Sequence, residues 1–190
     1  MPTLILLNGP PGIGKPTLAD IYIQRHPGAL NLDIDRLRTM VGGWAQTFVL
    51  AGEIVRPLAL QMAATHLNHG RTVIVPQYLA SASEVDAFQD IARDAKAGFL
   101  EVVLMSSQDH ALTRYSYLRD QPDALRSCIN EVIDTSGGND YLCSLYDDLV
   151  SAVNARPNAV VIDSLVDDIT GTFTLLTRAL DDRSLSDPAG

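Results

Sequence analysis

Short apolar runs rich in β-branched residues recur at Thr3–Leu7, Ala29–Leu32, Thr72–Val75, Phe99–Met105 and Ala159–Ile162. Each has the length of a buried strand, and each is followed by apolar positions at helical spacing or by polar helix formers. The pattern predicts helices over Lys15–Arg25, Arg36–Val41, Pro57–His69, Ser83–Lys96, Asp109–Leu118, Asp140–Ala155 and Asp167–Leu180, with Ser83 or a neighbour capping the fourth. Strands alternating with helices predict a parallel sheet covered on both faces. Between them, Arg119–Asn139 carries Pro122 and the pair Gly137–Gly138, which predicts loop or mobile insertion for part of that stretch. The polar end Asp181–Gly190 closes on Asp-Pro-Ala-Gly and is expected to be a disordered tail. At 190 residues and 46% hydrophobic, the chain can bury one sizeable core, so a single domain over residues 1–180 is expected.

Charge narrows the partners. The chain has 23 acidic and 14 basic side chains and a net charge of −9, which argues against general adhesion to nucleic acid or anionic membrane. The opening MPTLILLNGP has no basic leader, and its apolar run is too short for a secretory signal or a membrane span. A cytoplasmic protein is the expectation. Cys128 and Cys143 lack the paired spacing of a zinc site, so reduced, buried thiols are expected.

The first chemistry stands directly after the first strand. Gly9-Pro10-Pro11-Gly12-Ile13-Gly14-Lys15-Pro16-Thr17 fits the phosphate-loop pattern G-x-x-x-x-G-K and then departs at the final Ser/Thr. The glycines let backbone N–H groups turn toward phosphate oxygens, the helix opening at Lys15 offers its positive end, and the Lys15 ammonium meets the outer phosphates. Pro16 removes the hydroxyl that ordinarily ligates Mg²⁺ and one backbone donor, and its ring disfavours helical geometry at Lys15. Two readings stand: proline tolerated near a helix start, or impaired metal binding, with Thr17 or water replacing the ligand.

After the second strand, Asn31-Leu32-Asp33-Ile34-Asp35-Arg36-Leu37-Arg38 sets two carboxylates near the strand's C-terminal end. That end borders the ligand crevice of an open α/β sheet, where a carboxylate can take a hydroxyl's proton. The alternative is that Asp35 caps the next helix.

The phosphate loop, a helix ending Arg25-His26-Pro27-Gly28, and Asn31 followed by Asp35-Arg36-Leu37-Arg38 resemble the phage polynucleotide 5′-kinase domain. They are also similar to zeta-toxin-like and chloramphenicol-phosphotransferase-like P-loop kinases and to small bacterial AAA-family ATPases of kinase type. The resemblance is specific over Leu4–Gly43. It implies a three-layer P-loop NTPase fold, a five-stranded parallel sheet of order 2-3-1-4-5, and a short helical lid placed at about residues 109–139. It implies a phosphotransferase that uses ATP or GTP with Mg²⁺, with Asp35 as general base, Arg38 orienting the acceptor and Lys15 binding phosphate.

The third strand ends Val75-Pro76-Gln77 where many such proteins carry an acidic metal partner, so Mg²⁺ would lean on phosphates, water and Asp33. Gln77 is a candidate for orienting water or acceptor. Within Asp109–Arg126, Arg119 is the candidate lid arginine for the transferring phosphoryl group and Arg114 a second candidate, for phosphate or base contact. Trp44 is a candidate wall of the acceptor pocket. The acidic balance favours a small acceptor such as a nucleoside, sugar or antibiotic. A nucleic-acid 5′-hydroxyl is the alternative, and a nucleotide-binding module or NTPase weakened by Pro16 is the second.

Overall fold

A computed structural model of the chain describes residues 1–164 and 168–186. Five strands form one sheet: β1 (Thr3–Asn8), β2 (Leu30–Asn31), β3 (Val73–Pro76), β4 (Gly98–Met105) and β5 (Val160–Asp163). All pairings are parallel and the order is β2-β3-β1-β4-β5, the topology that the resemblance implied. Each apolar run became a strand within a residue or two of its expected limits, β2 losing one residue at each end.

β1 shows why the run had to be continuous. Leu4 and Leu6 join one core cluster and Ile5 and Leu7 the other, all at 1% exposure or less, because helices cover both faces of the sheet. On the first face lie α3 (Phe48–Asn68) and α4 (Ala82–Asp94), through Val55, Ala59, Leu67, Val85 and Phe88. On the second lie α1 (Lys15–Arg25) and α8 (Ile169–Ser186), through Leu18, Tyr22, Phe173 and Leu176. Each Val, Leu and Phe among these contributes about 1.5–3 kcal/mol on burial.

Three expected boundaries move. α2 spans Ile34–Arg38 rather than Arg36–Val41, because Asp33 caps it: its carboxylate accepts the N–H groups of Asp35 at 3.0 Å and Arg36 at 3.2 Å. α3 opens nine residues before Pro57, which sits inside the helix on its exposed side. One missing N–H is outweighed by a buried face running Ala51, Val55, Ala59, Ala63, Leu67. The Arg119–Asn139 stretch, expected to contain loop, is largely α6 (Ala124–Ser136), capped by Asp123, which accepts the Arg126 N–H at 2.7 Å. Gly137 and Gly138 terminate that helix at positive φ, Gly138 N–H donating to Ile133 O at 2.8 Å. With α5 (Gln108–Arg119) and α7 (Asn139–Asn154), α6 encloses a small separate core of Tyr115, Ile133 and Leu142.

α8 continues to Ser186, six residues into the expected tail; residues 187–190, and Asp167 at the expected start of that helix, lie outside the described residues. Cys128 is buried, Cys143 half-buried, and both are free thiols. Among the described residues only α3 is long and apolar enough by composition to cross a membrane, and one of its faces belongs to the core.

Candidate active site

β1 delivers the chain to Gly9, and the loop's glycines are required by what crowds them. A Cβ on Gly9 would lie 2.7 Å from Leu104 O, and one on Gly12 would lie 3.0 Å from the Tyr115 Cα of α5. Gly14 caps α1 at φ 103°, a left-handed conformation. Pro16 follows as the second helical residue, where the helix itself leaves the N–H unpaired. Lys15 is therefore helical despite the ring behind it; the loss that remains is the hydroxyl and one donor. Thr17 is exposed on the same turn.

Lys15 is 7% exposed. Its Nζ donates to Gly9 O at 2.6 Å and Pro10 O at 2.9 Å, curling over the loop. Burial pulls its pKa from 10.5 down to about 8, partly offset by the negative charges of Asp35 and then Asp33. Both carboxylates thus act electrostatically on the phosphate-loop cation. They differ in duty. Asp33, 8% exposed, is engaged as a helix cap and pairs with Arg36 Nε at 3.3 Å, while burial and neighbouring Asp35 push its carboxyl above the usual range. Asp35 is more open and faces Arg38, whose Nε stands 3.1 Å from Oδ1 without hydrogen-bond alignment. Capping, weighed against catalysis for Asp35, falls to Asp33.

Arg38 has a prepared seat. Its Nη1 donates to Phe48 O at 2.8 Å, its Cζ lies 4.3 Å from the Phe48 ring centroid, and its guanidinium rests on Gly52, where a Cβ would lie only 2.5 Å away. Trp44 is half-buried in the α2–α3 connection. Gln77 is buried at the end of β3, tied to β1 by its N–H to Leu7 O at 3.1 Å.

The two arginines expected in a lid separate. Arg114 is at the loop: its Nη1 donates to Ser164 Oγ at 3.1 Å, Ser164 Oγ donates to Ile13 O at 3.2 Å, and a Cβ on Gly14 would meet Nη2 at 3.2 Å. Arg119 is instead held in a two-point pair with Asp134 of α6, Nη1 to Oδ1 at 2.7 Å, which holds the Asp134 carboxyl below the usual range.

Sequence reasoning missed Ser164, Phe48, Gly52 and a buried network beneath the loop. Asn8, wholly buried, accepts the Gly9 N–H at 2.8 Å and the Leu79 N–H at 3.0 Å and donates to Leu79 O and to Glu101 Oε1. Arg156 then pairs with Glu101 at 2.9 Å. These residues come from four distant segments, and no local pattern announces them.

A metal fits the protein groups poorly. No group of three or more His, Cys, Asp or Glu among the described residues could hold an ion. Asp33 is already occupied, Pro16 has no hydroxyl and Gln77 has no charge. A Mg²⁺ arriving with a triphosphate would take phosphate and water oxygens.

The family model described as an AAA domain matches residues 4–132. No curated protein matches the chain. Among solved structures, a gluconokinase from Sinorhizobium meliloti 1021 is similar at 15% identity and TM-score 0.63, over 98% of each chain. A protein of Chloroflexus aurantiacus provisionally named a kinase is similar at 15% identity and TM-score 0.67, over 95% of this chain and 97% of its own. The tunicamycin resistance protein of Deinococcus radiodurans is similar at 17% identity and TM-score 0.57, over 96% and 95%. At these identities the likeness is one of fold.

Proposed function

This chain belongs to the AAA-domain family, and from that premise we propose a phosphotransferase that moves the terminal phosphoryl group of ATP or GTP to a hydroxyl of a small molecule. The observation that carries the reading is the electrostatic pull of Asp35 and Asp33 on the buried Lys15 ammonium, which supports a phosphate-binding cation and a proton acceptor serving one crevice. Lys15 leaves the Gly9 and Pro10 carbonyls for phosphate oxygens. The acceptor's O–H proton passes to Asp35, its oxygen forms the new bond to phosphorus, and the bond to the leaving nucleoside diphosphate breaks. Arg38 orients the acceptor beside Asp35. Arg114 meets the nucleotide from the lid side, and Arg119 joins the transferring group once it leaves Asp134. The net charge of −9 and the names of the gluconokinase and tunicamycin resistance neighbours support a small acceptor over a polymer.

Pro16 and Gln77, which withdraw a hydroxyl and a charge from the metal's surroundings, favour a second reading: a nucleotide-binding module or slow NTPase. A mass-spectrometric screen separates the two, using a metabolite mixture plus single-stranded oligonucleotide with Mg²⁺ and ATP or GTP. A phosphorylated small molecule is expected. Asp35→Asn should lower its formation about 10²–10⁴-fold with nucleotide binding retained, whereas Asp33→Asn, which keeps the cap, should be milder. A product on the oligonucleotide would reassign the acceptor. Tight nucleotide binding without any product would establish the second reading.

A further inference from the structure

α3 turns one face to the core and leaves the opposite face bare. Val49, Leu50, Ile54, Leu58 and Met62 are 61%, 50%, 44%, 56% and 40% exposed, on a helix whose other side is packed. From Leu50 onward they recur every fourth residue, so they form one continuous ridge. Between positions 49 and 62 the charged residues are Glu53, which is exposed, and Arg56, which is paired with Glu84 of α4.

We infer that this ridge is the two-fold interface of a homodimer. Residues 50, 54, 58 and 62 are spaced evenly about position 56, so an antiparallel copy brings Leu50 to Met62 and Ile54 to Leu58, and the reciprocal contacts follow from the symmetry. Such i±4 ridges interlock at about −50°. Covering the five side chains removes on the order of 450 Å² per copy, and with the exposed residues between them the pair passes the ~1,000 Å² that marks a specific interface. A patch of that size matches the largest on a typical monomer, roughly 300–600 Å², which is often functional. The area is what a dimer needs, and two copies of a chain at −9 meet with least mutual repulsion across a face nearly free of carboxylates. The same helix seats Arg38 through Phe48 and Gly52, so the partner copy would brace the acceptor side of the crevice from behind.

Sedimentation equilibrium of the full chain between 1 and 100 µM, as an order-of-magnitude range around common dimer constants, should give twice the chain mass of 20.5 kDa. The double variant Ile54→Glu, Leu58→Glu should raise the dimer dissociation constant at least a hundredfold. Ile54→Ser, Leu58→Ser should do so in the same direction without new charge, with circular dichroism and nucleotide binding unchanged. A wild-type chain that stays monomeric throughout overturns the inference, as does a dimer that survives both double variants. Flotation of a monomeric wild-type chain with phosphatidylcholine vesicles overturns it in favour of a lipid surface. None of these readouts depends on phosphotransfer.

Discussion

Nucleotide binding should take up a proton above neutral pH, because Lys15 is held near a pKa of about 8 in the free protein against 10.5 in the unfolded chain. That difference corresponds to about 3 kcal/mol against the charged form at ~1.4 kcal/mol per pKa unit. A triphosphate replaces the Gly9 and Pro10 carbonyls with anionic oxygens and restores the charged form. Uptake should be near zero at about pH 6.5, about half a proton at pH 8 and about nine-tenths at pH 9, with affinity falling toward tenfold per pH unit beyond that. Isothermal titration calorimetry in buffer pairs of different ionisation enthalpy measures the uptake directly. The sign for folding is opposite. Between about pH 8 and 10.5 the unfolded chain holds a proton that the folded chain has released, so Lys15 makes the free protein more stable as pH rises through that window. Binding heats at pH 9 that do not depend on the buffer would refute the placement of Lys15 against the phosphates.

Gly52→Ala should push the Arg38 guanidinium off its seat and lower phosphotransfer roughly tenfold or more with nucleotide affinity unchanged; combined with Arg38→Ala it should add nothing, which a double-mutant cycle reads. Pro16→Ser returns a hydroxyl and a backbone donor, contributions of about 1.5–3 kcal/mol each to a charged partner; calorimetry should show Mg²⁺–nucleotide affinity rising about tenfold or more, and equal or weaker affinity would discredit that account of Pro16.

The elements that could be read from sequence alone were those whose signal is local. Buried parallel strands are apolar on both faces, so Leu4 to Leu7 stood out as an unbroken run, and Gly9, Gly12 and Gly14 announced a loop crowded at those three positions. Strong punctuation misled elsewhere. Pro57 masked the first nine residues of α3 because a long buried face overrides one missing hydrogen bond. Gly137–Gly138 read as flexibility when it is the stop signal of α6, whose Leu125, Ile129 and Ile133 already carried helical spacing. The division of labour between Asp33 and Asp35 turned on which carboxylate reached the first N–H groups of α2, a matter of backbone path. Arg114 and Arg119 are alike in sequence context, and only their distant partners, Ser164 for the first and Asp134 for the second, part them.

The floor under Gly9 makes the nucleotide loop a poor cassette for grafting. Carrying Gly9–Thr17 to another sheet would bring the glycines but leave behind Asn8, Glu101 and Arg156, which hold the loop's first N–H from below. It also restricts the order in which such a floor can be assembled over mutational history. Glu101, 4% exposed, without Arg156 would keep only its Asn8 hydrogen bond, a buried charge without its ion partner costing about 3–5 kcal/mol, a large fraction of a domain's stability. Arg156, which keeps partial access to water, can precede Glu101 far more cheaply than the reverse, so viable lineages should reach the pair through the arginine.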